Sequence, residues 1–351
     1  MRKRKGIGKM TAVLGVSAML VSGCGLFGPE EVSIDPPPQS EVVVETPAET
    51  AADEVAQADE EEDVVQTYER TVYLLDANGY VVPVSLTLPV EEGTAKQVLR
   101  HMVKGGPVEE MLPAGFSAVL PEGTEIKGLV IKNGVATIDF SKEFKAYPPQ
   151  DERKILDAIT RAMTEFENVK SVEIWINGTP LKEMPVAKTP INQLERSLGV
   201  NLELADGAIP GKTTAVTVYF QGQLDDSRTY FVPVTRLIPE TDNVAKAAVE
   251  ELIKGPKEGT QLFSSLMRTT RVLDVKQEKD LVTVNLSADI LKYDEGRQAN
   301  PDAVESLVLS LTENTGAKQV QLLVEGKPLT GGEHDFSKPV SRPLHVNAMS
   351  Y

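Results

Sequence analysis

The chain has 351 residues, with 36 Lys and Arg against 52 Asp and Glu, a formal net charge of −16 and one cysteine. An acidic chain repels phosphate backbones and anionic lipid, so nucleic acid is excluded as a partner and no basic patch can hold the chain to a membrane. A single cysteine excludes an intrachain disulfide and a zinc site built of cysteines.

The N-terminus reads as an export signal. Arg2, Lys3, Arg4, Lys5 and Lys9 form a basic start, and Met10 to Val21 is apolar or small throughout. That run is too short to span a bilayer, which takes ~20 apolar residues. Ser22-Gly23 then leads into Cys24, the one cysteine. An ordinary cleavage site needs small residues but no thiol. The stretch resembles the lipobox of bacterial lipoproteins, which implies that 1–23 is removed and that Cys24 is acylated as the first mature residue. The plainer alternative is a buried free cysteine behind an ordinary signal. One acyl chain contributes about 0.8 kcal/mol per buried CH₂ and anchors weakly alone, so a lipid anchor implies more than one chain, palmitate included. The expected location is the extracytoplasmic face of a cell membrane.

Without its five N-terminal cations the net charge becomes −21, and 25–67 holds thirteen acids and no Lys or Arg. Residues 29–66 are rich in Pro, Glu, Asp and Ala and have no aromatic residue. Such composition cannot bury enough apolar surface to offset its ordering entropy. With Cys24, residues 24–67 are expected to form a disordered stalk. About 40 residues of it span roughly 35 Å on average.

The remaining chain is too long for one ordinary domain, and it repeats itself. Thr71-Val72-Tyr73 recurs as Thr217-Val218-Tyr219, and Val82-Pro83-Val84 as Val232-Pro233-Val234. Ala95-Lys96 recurs as Ala245-Lys246, and Lys104-Gly105 as Lys254-Gly255. VATIDFS at 135–141 matches LVTVNLS at 281–287, and VEIWINGTPL at 172–181 matches VQLLVEGKPL at 320–329. The order is kept throughout, which marks a tandem duplication: a first domain over 68–194, a linker over 195–214 and a second domain over 215–351.

Periodicity supplies the elements. Tyr68–Asp76 and Tyr80–Leu88 form a hairpin turned at Ala77-Asn78-Gly79. Ala95, Val98, Leu99, Met102 and Val103 lie on one helical face, opened by a Thr94–Gln97 capping box and stopped by Gly105 and Pro107. Ala245, Ala248, Val249, Leu252 and Ile253 repeat that stripe. Ile126–Ile131 and Val135–Phe140 are strands turned at Asn133-Gly134. A second helix carries Ile155, Leu156, Ile159, Ala162, Met163 and Phe166. Its counterpart carries Ala303, Val304, Leu307, Val308 and Leu311, with Asn300 as N-cap and Pro301 first in the helix. Val172–Asn177 is the last strand. The fold class is therefore α+β: two tandem two-layer sandwiches, each a hairpin followed by α-β-β-α-β.

In that last strand Val172, Ile174 and Ile176 point inward, while Glu173, Trp175 and Asn177 point outward. Leu323 holds the position of Trp175 in the second copy. Trp175 and Leu323 are thus fillers of a second core if the hairpin covers that face, and interface anchors if it does not.

No chemistry is signalled. Gly211-Lys212-Thr213 ends like a phosphate-binding loop, but its first glycine is misplaced and it precedes a strand. His101 is placed on the solvent side of its helix, and Glu333-His334-Asp335 reads as a solvated loop. Ser141 and Ser287 recur beside Asp139 and Asn285, with no histidine near in sequence. A catalytic arrangement assembled in space stays open at this level. No cofactor, metal site or catalytic residue is expected. The element order is shared with RNA-binding KH domains, whose basic GxxG loop is missing.

Lipobox, acidic stalk and two ordered copies of TVY…VPV…KG…DFS or NLS…NGTPL or EGKPL together resemble the GerM family of sporulation and germination lipoproteins, with tandem GerMN domains similar to the ring-building motif. The resemblance implies a non-catalytic assembly role in the space between mother cell and forespore. It implies sporulation membrane-complex proteins with ring-building-type domains as partners, with a homo-oligomer as a further possibility. Among site residues it carries over only Cys24. The rival from the residues alone is an envelope lipoprotein that binds or hydrolyses peptidoglycan.

Overall fold

A computed structural model describes residues 66–348, apart from 113, 193, 226–227, 293–297 and 331–335. Cys24, the signal segment, nearly all of the stalk and His334 lie outside the described residues.

The first repeat opens on an antiparallel hairpin, β1 (Thr67–Leu75) and β2 (Val81–Pro89). Helix α1 (Thr94–Arg100) follows, then β3 (Ile126–Lys132) and β4 (Val135–Phe140), helix α2 (Glu152–Thr164), β5 (Ser171–Ile176) and the short β6 (Thr179–Pro180). Asn133 at φ 53° and Gly134 at φ 82° turn β3 into β4, the conformation an Asn-Gly hairpin turn requires. Strand β5 runs parallel to β4, a connection that needs the crossover helix α2. On the other side of β5 pair β6 and β7 (Leu194–Glu195).

Then β8 (Glu203–Leu204) leads into the second repeat. This has hairpin β9 (Thr213–Gln223) and β10 (Thr229–Pro239), α3 (Val244–Lys254), β11 (Val272–Glu278), β12 (Leu281–Leu286), α4 (Pro301–Thr315), β13 (Gln319–Val324), β14 (Lys327–Pro328) and β15 (Val340–Ser341). Its sheet, β11-β12-β13-β14 with β15 on β13, repeats β3-β4-β5-β6 with β7 on β5. Each repeat is the expected hairpin followed by α-β-β-α-β.

The hairpins lie on the far side of the helices from these sheets. α1 packs on β1 and β3, and α2 on β1 and β5. Likewise α3 packs on β9 and β11, and α4 on β9 and β13. Flanks that would otherwise face solvent are therefore buried as well: Asp157, Thr160 and Arg161 on α2, and Ser306, Ser310 and Thr312 on α4. The outer face of each sheet is left without a hairpin over it. One contiguous core, from Val72 to Leu329, runs through both repeats.

Two local expectations fail at α1. Its N-cap is Gly93 in a left-handed conformation, with no side-chain cap, and Thr94 is already helical. Gln97 instead accepts from the Tyr68 hydroxyl and donates to the Pro89 carbonyl at 2.9 Å, tying the helix to the hairpin. The helix also ends at Arg100, so His101 turns back and is buried, its Nδ1 2.9 Å from the Gln97 carbonyl oxygen. At α4 the Asn300 cap and Pro301 form as expected, the Asn300 side chain accepting from Asp302 N at 2.8 Å.

Candidate protein interface

The polar residues of the repeated motifs serve the fold. Ser141 Oγ accepts from Glu125 N and Ser287 Oγ from Arg271 N, at 3.1 and 3.0 Å. Asp139 accepts from Gly178 N at 2.9 Å and Asn285 from Gly326 N at 2.8 Å, each fastening the turn after the last long strand. Among the described residues, no three of His, Cys, Asp and Glu gather as a metal site would require. His345 pairs with Glu69 at 3.0 Å, across the repeats.

A junction that sequence reasoning missed joins the repeats through exchanged tails. Asn201, after the first repeat's last strand pair, accepts from Val81 N (2.9 Å) and donates to Val81 O (2.8 Å) and Pro233 O (2.7 Å). Asn347, in the matching place of the second repeat, accepts from Phe231 N (2.7 Å) and donates to Phe231 O (2.8 Å) and Pro83 O (2.7 Å). Since Val81 matches Phe231 and Pro83 matches Pro233, the bonds are reciprocal, as across a twofold axis. Val200 O accepts from Thr235 N at 2.8 Å, and the Val346 carbonyl accepts from Ser85 Oγ at 3.0 Å. The first repeat's tail thus lies on β10, where β8 pairs in parallel, and the second repeat's tail lies on β2. Gly199, at φ +77°, permits this approach, because a Cβ there would sit 2.6 Å from the Thr235 side chain. Tyr230 reaches the other way, donating to Asp76 at 2.8 Å.

Beside the tails lies a buried charge cluster. Tyr73 donates to Glu165 at 2.6 Å, and its counterpart Tyr219 faces Glu313, the counterpart of Glu165. Arg196 grips Glu313 with two bonds, at 2.7 and 2.8 Å, and reaches Glu165 at 3.0 Å. Its counterpart Arg342 lies 3.2 Å from Glu313 and 3.0 Å from the Tyr219 hydroxyl. Arg161, buried on α2, also pairs with Glu313, although the matching residue on α4 is Leu309. Burial pushes Glu313 up, and Arg196 and Arg161 reverse that, holding its carboxyl well below the usual range. The same opposition leaves Glu165 lowered, and burial raises the Tyr73 hydroxyl well above its usual value. The available signal was duplication: RSLGVN at 196–201, in the stretch read as linker, repeats as RPLHVN at 342–347, in the stretch read as second domain.

Asp157 has the opposite balance. Arg153 Nε donates to it at 2.6 Å and Asn201 N at 3.3 Å. It borders a cavity of about 180 Å³ that Thr160, Thr189 and Asn192 also line. Burial outweighs Arg153 and pushes its carboxyl from 3.8 to about 6.

Trp175 and Leu323 lie on the two outer sheet faces, and the structure does not bring them together into one site. Trp175 sits between Asp139 and Pro180 in register, half-buried, with its indole Nε1 covered and without a hydrogen-bond partner. Val130 on the same sheet is 48% exposed, and Lys127 Nζ reaches Asn177 at 3.0 Å at the rim. Leu323 sits half-buried between Asn285 and Pro328. Because the hairpins lie on the helices, neither residue fills a core beneath a hairpin.

A family model described as "Germane: Sporulation and spore germination" matches residues 71–182 and 217–330. The chain is 38% identical over 369 residues to the spore germination protein GerM of Bacillus subtilis (strain 168), covering 99% of this chain and all of the relative. It also matches the solved tandem GerMN domains of the sporulation protein GerM from Bacillus subtilis, at 40% identity and a TM-score of 0.76, over 81% of this chain and all of that one. The chain therefore belongs to the Germane family of sporulation and spore germination proteins and carries two copies of its domain.

Proposed function

We propose that this protein is a non-catalytic assembly lipoprotein of sporulation and germination, anchored through Cys24 on the extracytoplasmic face of the cell membrane. It stabilises a trans-envelope protein complex between mother cell and forespore. The stalk carries the paired domains into the intermembrane space, where their outer sheet faces dock ring-building-type domains of the complex. The observation that carries this reading is the use of the duplicated polar residues. Asp139 and Asn285, Ser141 and Ser287, Asn201 and Asn347 are each engaged by backbone groups of the fold. Among the residues left facing outward is a large apolar side chain on each sheet, Trp175 or Leu323, with Val130 exposed on the same sheet as Trp175, and tryptophan is a residue type favoured as an interface anchor.

The test replaces both anchors, Trp175→Ala with Leu323→Ala, in the full-length protein in sporulating cells. The expected outcome is loss of complex assembly with normal protein abundance and membrane fractionation. Unchanged assembly contradicts the docking role. Pelleting of purified 66–351 with peptidoglycan, or dye release from it, favours the envelope-binding or hydrolytic rival.

A further inference from the structure

The junction between the repeats is built twice from matching residues, each repeat lending its tail to the other's hairpin. Asn201 and Asn347 make the same three bonds with partners exchanged. Arg196 and Arg342 approach the one Glu313 from the two repeats. Arg161 is the element that breaks the symmetry. Two first repeats set against each other would bring two copies of Arg161 to a junction designed for one. The best partner for a first repeat is therefore a second repeat, and every chain carries both.

The segment that joins them holds neither. Residues 206–212 are exposed apart from the half-buried Ala208, and Ile209 is 63% exposed. Its backbone bonds are local, from Ala208 N to Ala205 O and from Lys212 N to Ile209 O. Gly207 and Gly211 take φ of +77° and +82° with no atom near an added Cβ. Straightened, the stretch from Ala205 to Thr213 reaches about 25 Å.

We infer that a second copy of this chain can close the same junction, the first repeat of each molecule pairing with the second repeat of the other in a reciprocal two-chain exchange hinged at 206–212. No new interface is needed, since each contact of the closed monomer is re-formed between chains. Hinge length then selects the closure. A short hinge strains the intramolecular form and leaves the exchanged form relaxed, and a long hinge raises the effective concentration of the intramolecular partner.

The tandem-domain fragment 66–351 suits the test, because the matching domains of the Bacillus subtilis relative were solved without the preceding segment. Three hinge lengths are compared: native, lacking Gly207–Ile209, and extended by two glycines after Gly207. Each is refolded from denaturant at about 200 μM and sized by chromatography with light scattering. Donor-labelled and acceptor-labelled batches, coupled at Leu344→Cys, are refolded together to mark exchange. The shortened hinge is expected to raise the dimer fraction by roughly tenfold, with energy transfer inside the dimer peak, and the extended hinge to lower it. A dimer formed through any other surface would ignore hinge length, so equal fractions across the three overturn the inference. A shortened variant that stays monomeric overturns it too. So does one that fails to fold at high concentration, because exchanged closure would rescue it.

Discussion

The two repeats agree at some positions and part at others, and the places where they part are informative. Tyr73 and Tyr219, Glu165 and Glu313, Arg196 and Arg342, and Asn201 and Asn347 match in kind and converge at the junction. Arg161 and Leu309 differ at that same junction, and Trp175 and Leu323 differ on the outer sheets. Shared residues thus hold the repeats together. The difference at the junction makes the pairing heterotypic, and the difference on the outer faces gives the molecule two unlike surfaces.

The repeats differ most in stability at Glu313 and Glu165. Glu313→Gln leaves three guanidinium groups facing a neutral partner and is expected to cost about 3–5 kcal/mol, the range for one partner lost from a buried ion pair. Its counterpart Glu165, with a side chain 35% exposed, is hydrogen-bonded among the described residues to Arg196 and Tyr73, and its loss should cost far less. Denaturant titration of both variants decides this, and equal losses would contradict the asymmetry. Next come Asn201→Ala and Asn347→Ala. Each orphans backbone groups on β2 and β10, for a cost of about 2–4 kcal/mol. Because their bonds are reciprocal, the two losses should agree closely.

Protonation offers a smaller, graded test. Folded Asp157 titrates near 6, above the 3.8 of an ordinary aspartate, so between those values the folded state binds more protons than the unfolded state. Stability from this residue is therefore highest below pH 4 and declines as pH rises toward 7, by about 3 kcal/mol in all. Glu313 and Glu165 act the other way, their stabilisation lost only as pH falls below the usual carboxylate range. Asp157→Asn should flatten the decline between pH 4 and 7 while leaving the acid limb in place, as read by melting temperature against pH. The smallest effect on folding belongs to Trp175→Ala and Leu323→Ala, half-buried on open faces, at about 1 kcal/mol each.

Local signals carried well from sequence to structure. The Asn133-Gly134 turn, the Asn300-Pro301 helix start and the alternation in β5 each depend on a few neighbouring residues, and all three form. Thr94 and His101 misled because Gly93 opens the helix in a left-handed conformation and Arg100 ends it early, neither of which an apolar stripe encodes. The junction lay beyond periodicity altogether. Its partners lie far apart in sequence, 264 residues in the bond from Asn347 to Pro83. Only the second occurrence of R-x-L-x-V-N marked it, and in the first copy that motif sits where composition reads as linker. The outer faces were visible as a pattern, but which side of the helices the hairpins would cover was not.

The exchanged tails and the Glu313 cluster make the two repeats one cooperative body that presents two outer faces in a fixed relation. Differential scanning calorimetry of fragment 66–351 tests it directly. A single transition is expected, with calorimetric and van't Hoff enthalpies in agreement. Two resolved transitions, one per repeat, would contradict it.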